Sequence, residues 1–314
     1  VGMDVVYNHT TASGQAAAAV LDRIVPGYYH RLDAKGDVER STCCANTATE
    51  HRMMAKLMRD SVVQWATQFG IDSFRFDLMG HQPRAAMEQL RDALRNATGR
   101  NIPLIGEGWN FGEVADGQRF VQASQLSLGG SGIATFSDRA RDAVRGGGPG
   151  DHVPALIAAK GWSNGANDPH LADLVRVGLA GTLKESVNAA GTTVEYNGQP
   201  AGYADSPDEV VNYVENHDNQ TLFDIGVWKL PRDTSTEDRA RVQLLAAATT
   251  AFSQGVAYWH AGIDVLRSKS LDRNSYDSGD AFNRLDWTYT DNGFGVGLPP
   301  AADNAQDLDS MRPL

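Results

Sequence analysis

Between residues 47 and 106 the apolar pattern switches repeatedly between a helical and a strand period, which restricts the fold more than any other feature. Met54, Leu57, Met58, Val62, Trp65 and Phe69 recur at spacings of three and four, with Gly70 behind them, the signature of an amphipathic helix and its stop. Thr47-Ala48-Thr49-Glu50, just upstream, has the form of a capping box. A strand is predicted over Ile71 to Leu78, then a helix from Arg84 to about Ala97 with Met87, Leu90 and Leu94 on one face and Gly99 as its stop, then a strand over Ile102–Ile105. This order predicts βαβ units and a parallel sheet. Regular structure returns with a strand at Val210–Val214, a helix from Glu237 to about Thr250 and a strand at Val256–Trp259. The glycine-rich and polar stretches between, 127–135, 145–150 and 161–170, read as long functional loops over a regular frame.

Composition narrows the class. The 314 residues, 41% of them hydrophobic, suffice for one closed α/β barrel or two smaller domains. With 28 basic against 39 acidic residues the net charge is −11. A nucleic-acid partner would call for a basic field, so that class is excluded, and an anionic substrate is disfavoured while a neutral one is not. No apolar run approaches the ~20 residues of a membrane span, and the mean hydropathy is −0.37. Cys43 and Cys44 are adjacent; they are expected to stay unlinked, as two small buried residues, with no disulfide framework and no closed zinc site. The chain opens on a strand-like run, Val1 to Val6, without an initiator Met or signal peptide. It therefore reads as a piece of a longer polypeptide with any targeting segment upstream, and the compartment stays unknown.

The strand ends hold the chemistry. In Ile71-Asp72-Ser73-Phe74-Arg75-Phe76-Asp77, alternation puts Phe74 and Phe76 on one face and Arg75 with Asp77 on the other. The guanidinium should favour the ionised carboxylate. Asp4-Val5-Val6-Tyr7-Asn8-His9, Ile105-Gly106-Glu107-Gly108-Trp109 and Val214-Glu215-Asn216-His217-Asp218-Asn219 likewise end apolar runs in polar groups. Any one could be a plain loop or a structural ion pair. Four at the same end point to a site, since parallel barrels carry theirs at the C-terminal ends of their strands.

These four segments resemble, in order, the four signature regions of the α-amylase superfamily, glycoside hydrolase family 13. Asp4–His9 matches the first, Phe74–Asp77 the second, Glu107 the third and Asn216–Asp218 the fourth. Phe76-Asp77-Leu78-Met79-Gly80-His81, Gly106-Glu107-Gly108-Trp109 and Leu266-Arg267-Ser268-Lys269-Ser270 leading into Asn274 to Asp280 are similar to its debranching members, the pullulanases and limit dextrinases. The resemblance implies a retaining glycosidase cleaving α-1,6 bonds of pullulan, amylopectin and limit dextrins. Asp77 would be the nucleophile, Glu107 the acid, its pKa raised by the apolar wall of Trp109, and Asp218 the third carboxylate. His9 and His217 would bind the sugar, Arg75 would orient Asp77, Trp109 would stack on a ring, and Asp4 and Asp280 would belong to the substrate-binding shell. No cofactor is required; calcium is possible. An α-glucan is the implied partner, with no nucleic acid and no membrane.

The implied fold is a TIM-type (β/α)8 barrel incomplete at the N-terminus, holding about strands three to eight over residues 1–290. Asp138-Arg139 would belong to the sixth strand, and residues 291–314 would form a tail toward an absent β-sandwich. An unclosed sheet would expose two edges. Alternatives are an α-1,4-acting or isoamylase-type relative, or a non-catalytic glucan-binding fragment. Gly161-Trp162-Ser163-Asn164-Gly165 matches the nucleophile elbow of serine hydrolases, but its polar, proline-bearing context reads as a loop. The run Arg145–Gly150 lacks the Lys-Ser/Thr of a phosphate loop.

Overall fold

A computed structural model describes residues 1–296 other than Pro149 and His152. From residue 297 on, the expected C-terminal tail lies outside the described residues. The described residues divide into two compact units, the first comprising 1–136 with 203–209 and the second 137–202 with those from 210 on.

The first unit contains β1 (Gly2–Val5), β2 (His9–Thr10), α1 (Leu21–Ile24), β3 (Ala45–Asn46), α2 (Arg52–Gln68), β4 (Ser73–Phe76), α3 (Arg84–Thr98), β5 (Leu104–Gly106) and β6 (Ala134–Phe136). Strands β1, β4, β5 and β6 run parallel in that order, with Asp4 paired to Arg75, Phe76 to Gly106 and Ile105 to Ala134. The predicted βαβ order is present. Phe74 and Phe76 are fully buried among Met58, Val62, Met87 and Leu90; burying each contributes about 1.5–3 kcal/mol. In α2 the core face is Met54, Met58, Val62 and Ala66, while Leu57 and Phe69 of the predicted stripe are exposed.

The capping box does not form. Helix α2 starts at Arg52 behind His51, with no side-chain cap. The Thr47 hydroxyl donates instead to the Tyr7 carbonyl, and Glu50 is held by Arg31 through two bonds of 2.9 and 2.8 Å. A guanidinium engaging the carboxylate at both oxygens outcompetes a lone backbone amide.

The second unit contains α4 (Asp138–Arg145), α5 (Val153–Ala158), α6 (Pro169–Leu179), β7 (Glu195–Tyr196), β8 (Gln199–Pro200), β9 (Val210–Asn212), α7 (Leu222–Lys229), α8 (Thr236–Phe252), β10 (Val256–Ala257) and α9 (Asp280–Asn283). Strands β9 and β10 pair in parallel, Val211 with Val256. The predicted strands hold with trimmed ends, and the predicted helix runs longer, over Thr236–Phe252. Asp138 and Arg139 open a helix rather than continue a strand, because β6 ends at Phe136. The hairpin β7–β8 turns on Asn197-Gly198, both at positive φ, the conformation that favours this dipeptide. Ser163 of the elbow-like segment is buried in a short 3-10 turn and donates to the Val144 carbonyl (2.8 Å), so it is a structural serine.

Candidate active site

Sheet register assembles the first cluster. Alternation puts Arg75 on the polar face of β4, and the β1 pairing sets Asp4 directly beside it. Carrying the β4–β5 register one residue past Phe76 and Gly106 sets Asp77 level with Glu107. Arg75, 8% exposed, sits among all three: Nη1 lies 3.0 Å from Asp4 Oδ1 and 3.1 Å from Asp77 Oδ1, and Nη2 lies 2.8 Å from Glu107 Oε1. Burial opposes the guanidinium's charge, but Glu107, Asp4 and Asp77 outweigh it and hold its pKa above the ordinary arginine value.

The turn after β4 is shaped by what it must approach. Leu78 is left-handed at φ 40°, and its N–H donates to Glu107 Oε2 at 2.9 Å. A non-glycine residue in that region costs about 1–3 kcal/mol, here directly beside Asp77. Gly80 follows because a Cβ there would lie 2.2 Å from the Trp109 carbonyl oxygen, and Gly106 because one would lie 2.7 Å from Met79 Cβ. Both signature segments thus keep glycine where the turn Met79–His81 presses on the strand end of Glu107.

Glu107 has polar partners that the sequence did not show. Its carboxylate is 6% exposed and meets Arg75 and the Leu78 N–H. Trp109 is half-buried, its backbone against Gly80. Within-strand alternation could pair Arg75 only with Asp77; cross-strand register added Asp4 and Glu107.

Asn8 connects this cluster to His9. With its amide oriented to suit both neighbours, Asn8 Nδ2 donates to Asp77 Oδ2 (3.2 Å) and Oδ1 accepts from His9 Nδ1 (2.9 Å). Beneath lies a network not anticipated from the sequence. Buried Arg31 contacts Glu50 and Glu113 and donates to the His81 carbonyl (3.1 Å), and Ser41 and Asn46 also donate to Glu113. Burial pushes Glu113 up, but the bonds from Ser41, Arg31 and Asn46 prevail and set its pKa at about 2. Burial lowers His81 to about 4, so its ring is neutral at pH 7. Only the folded chain brings Arg31 to Glu113, 82 positions away.

Cys43 and Cys44 correct another expectation. They are bonded to each other, Cys43 exposed and Cys44 half-buried. They lie in a bend at residues 41–44, just before β3.

In the second unit, β9 leads into Glu215-Asn216-His217-Asp218. His217 and Asp218 are exposed, His217 Nε2 lying 3.8 Å from Asp218 Oδ1. They line a cleft of about 260 Å³ with His260, Arg267, Lys269 and Arg273. Asp280 is exposed at the start of α9 and is not among the cleft's lining residues.

The loop is held from below. Lys269 Nζ donates to the His217 carbonyl (2.8 Å), and Glu215 contacts His260 Nδ1 (2.5 Å) and the Leu222 N–H (2.8 Å). Fully buried Asp224 accepts from Ser268 Oγ (2.5 Å) and Lys269 N (2.9 Å). Burial lowers Lys269 to about 8 and raises Asp224 to about 6. The segment Arg267-Ser268-Lys269 therefore acts as a brace for the fourth signature region; its residues were legible in the sequence, their role was not.

The chain matches no family model. The pullulanase of Klebsiella aerogenes is 46% identical over 98% of this chain and 30% of its own length. The chloroplastic pullulanase 1 of Arabidopsis thaliana is 43% identical over 100% of this chain and 35% of its own. The crystal structure of Klebsiella pneumoniae pullulanase complexed with maltotriose superposes with a TM-score of 0.93 at 44% identity, over 99% of this chain and 31% of that one. Over nearly its whole length the chain is similar to pullulanases, in sequence and in fold. It spans about a third of the length of these pullulanases. The pullulanase-like segments picked out by sequence coincide with structural devices: Gly80 and Gly106 at a close approach, and Lys269 as the loop brace.

Proposed function

We propose that the chain carries the carboxylates of a retaining glycoside hydrolase that cleaves α-1,6-glucosidic bonds in pullulan, amylopectin and limit dextrins. The observation behind this is Arg75, one guanidinium touching Asp77 and Glu107 at the C-terminal ends of adjacent parallel strands. In a pullulanase-type chain that pair corresponds to the nucleophile and the acid, which retention requires about 5–5.5 Å apart. Asp77 attacks the anomeric carbon while Glu107 gives its proton to the departing glycosidic oxygen. Glu107 then takes a proton from the water that hydrolyses the glycosyl–Asp77 ester. Protonation of Glu107 breaks its ion pair, leaving Arg75 to Asp77 and Asp4.

By the superfamily's pattern Asp218 stabilises the oxocarbenium-like transition state, and His9 and His217 hydrogen-bond the sugar. Trp109 offers a stacking face, and Asp280 is an outer contact for the glucan. The maltotriose held by the Klebsiella pneumoniae enzyme suggests the same class of oligosaccharide as ligand here. We assign β1, β4, β5, β6, β9 and β10 to strands three to eight of a (β/α)8 barrel over residues 1–290, with 291–314 as the tail beyond it. This chemistry needs no cofactor. Calcium takes six to eight oxygen ligands. Among the described residues, the cluster of three His, Cys, Asp or Glu donors is His9 with Cys43 and Cys44, a nitrogen and sulfur set unsuited to it, and no step runs through calcium.

A pullulan digest with sized products tests the proposal on a sample that melts cooperatively. Maltotriose supports α-1,6 cleavage, whereas panose or isopanose moves the chain to α-1,4 specificity. Product of the inverted anomeric configuration removes the assignment, and no product from folded protein moves the test to a longer chain that completes the barrel.

A further inference from the structure

Beside the carboxylate cluster, His9, Cys43 and Cys44 each bring one donor atom to within 4.8 Å of the others. The β2–β3 register pairs His9 with Asn46, two positions beyond Cys44. The histidine is oriented for ligation: its Nδ1–H is committed to Asn8 Oδ1 (2.9 Å), which leaves the lone pair on Nε2. In metal-binding histidines an acceptor on one ring nitrogen fixes the tautomer and aims the other nitrogen at the ion. Nε2 faces Cys43 Sγ at 3.6 Å. Bonds of about 2.3 Å to sulfur and about 2.0–2.1 Å to nitrogen, at the tetrahedral angle, separate two zinc ligands by about 3.6 Å.

We infer that, once the Cys43–Cys44 disulfide is reduced, the two thiolates and His9 Nε2 form a site for one thiophilic d10 cation such as Zn2+ or Cd2+. A dithiol reductant supplies two electrons and two protons to the S–S bond and leaves as its own cyclic disulfide. The cation then displaces both thiol protons, and water completes the fourth position. Soft sulfur and borderline nitrogen donors select this class over Mg2+ or Ca2+. Cys43 is exposed and the other two residues are half-buried, so reductant and ion have access. Binding takes His9 away from any sugar. It also loads the relay through Asn8, whose amide donates to Asp77 Oδ2 at 3.2 Å.

The test is equilibrium dialysis of the whole chain against Cd2+, after reduction with dithiothreitol and anaerobic desalting, read as bound metal and thiolate–cadmium absorbance. One Cd2+ per reduced chain is expected, none on the oxidised chain, and none on reduced chain alkylated with iodoacetamide, a control that needs no variant. His9→Ala should weaken binding at least tenfold. No Cd2+ on the reduced chain, equal uptake after alkylation, or unchanged affinity in His9→Ala would overturn the site. Loss of pullulan hydrolysis in step with occupancy, reversed by a chelator, is expected as well. That arm rests on the function proposed above; the stoichiometry does not.

Discussion

The two units present their candidate site residues in opposite ways. In the first, Asp4, Asp77 and Glu107 converge on the buried guanidinium of Arg75, so the ionisable groups are themselves the structure. In the second, His217 and Asp218 stand exposed on a loop, and the work of holding it falls to Lys269, Asp224 and Glu215 beneath. The buried pair, Arg75 with Glu107, cannot lose its cation without disturbing the fold. Side chains presented by a braced backbone can be altered without disturbing it. The same chemical type, a carboxylate after a parallel strand, is thus coupled to stability in one unit and separable from it in the other.

The sharpest way to test this difference is through turnover. Glu107→Gln should cost about 10²–10⁴-fold in pullulan hydrolysis, the range for a general acid, and Asp77→Asn at least as much. Rates near wild type in either would end the assignment of roles. Next in size is the contrast between Arg75→Met and Asp218→Asn. The first strands carboxylates around an emptied buried cation site and should cost about 3–5 kcal/mol, read as a fall in the denaturation midpoint. The second, at an exposed position, should stay within about 0.5 kcal/mol while turnover drops. Similar stability losses in both would erase the comparison.

A smaller effect is expected at the brace. Lys269→Met removes the donor to the His217 carbonyl and should destabilise by about 1–3 kcal/mol. Faster hydrogen exchange should be confined to peptides around 215–222; exchange unchanged there would deny the bracing role.

The smallest effect is in pH. Glu113 is held at about 2 against an ordinary 4.5, so the unfolded chain binds more protons between those values. The first unit should lose stability as pH falls through that window. In the second unit, burial and the charge of Arg145 lower Lys229 to about 7, and burial lowers Lys269 to about 8, both from 10.5. The folded state therefore binds fewer protons up to pH 10.5, and stability should rise with pH across that range. Asp224, raised by burial from 3.8 to about 6, adds a loss of stability as pH rises through that lower window. Peptide-resolved exchange at several pH values, corrected for intrinsic rates, separates the two responses; parallel behaviour of both units would contradict it.

Much was determined by the sequence alone. Periodicity located α3 with Met87, Leu90 and Leu94 inward, and alternation put Phe74 and Phe76 in the core with Arg75 and Asp77 opposite. These follow from a fixed repeat along one segment, so local residues suffice. The order of polar strand ends was legible for the same reason, and it was enough to show the resemblance to pullulanases that the comparisons also find.

What tertiary structure alone decided were the partnerships. Register across three strands joined Asp4 and Glu107 to Arg75, and chain separations of 82 and 52 residues joined Arg31 to Glu113 and Lys269 to His217. The same competition drew Glu50 away from the expected cap to Arg31, and a local bend brought Cys43 against Cys44 beside His9. An ionic or hydrogen-bonded pair is worth something only at about 3 Å, and distance between remote segments is a property of the folded chain.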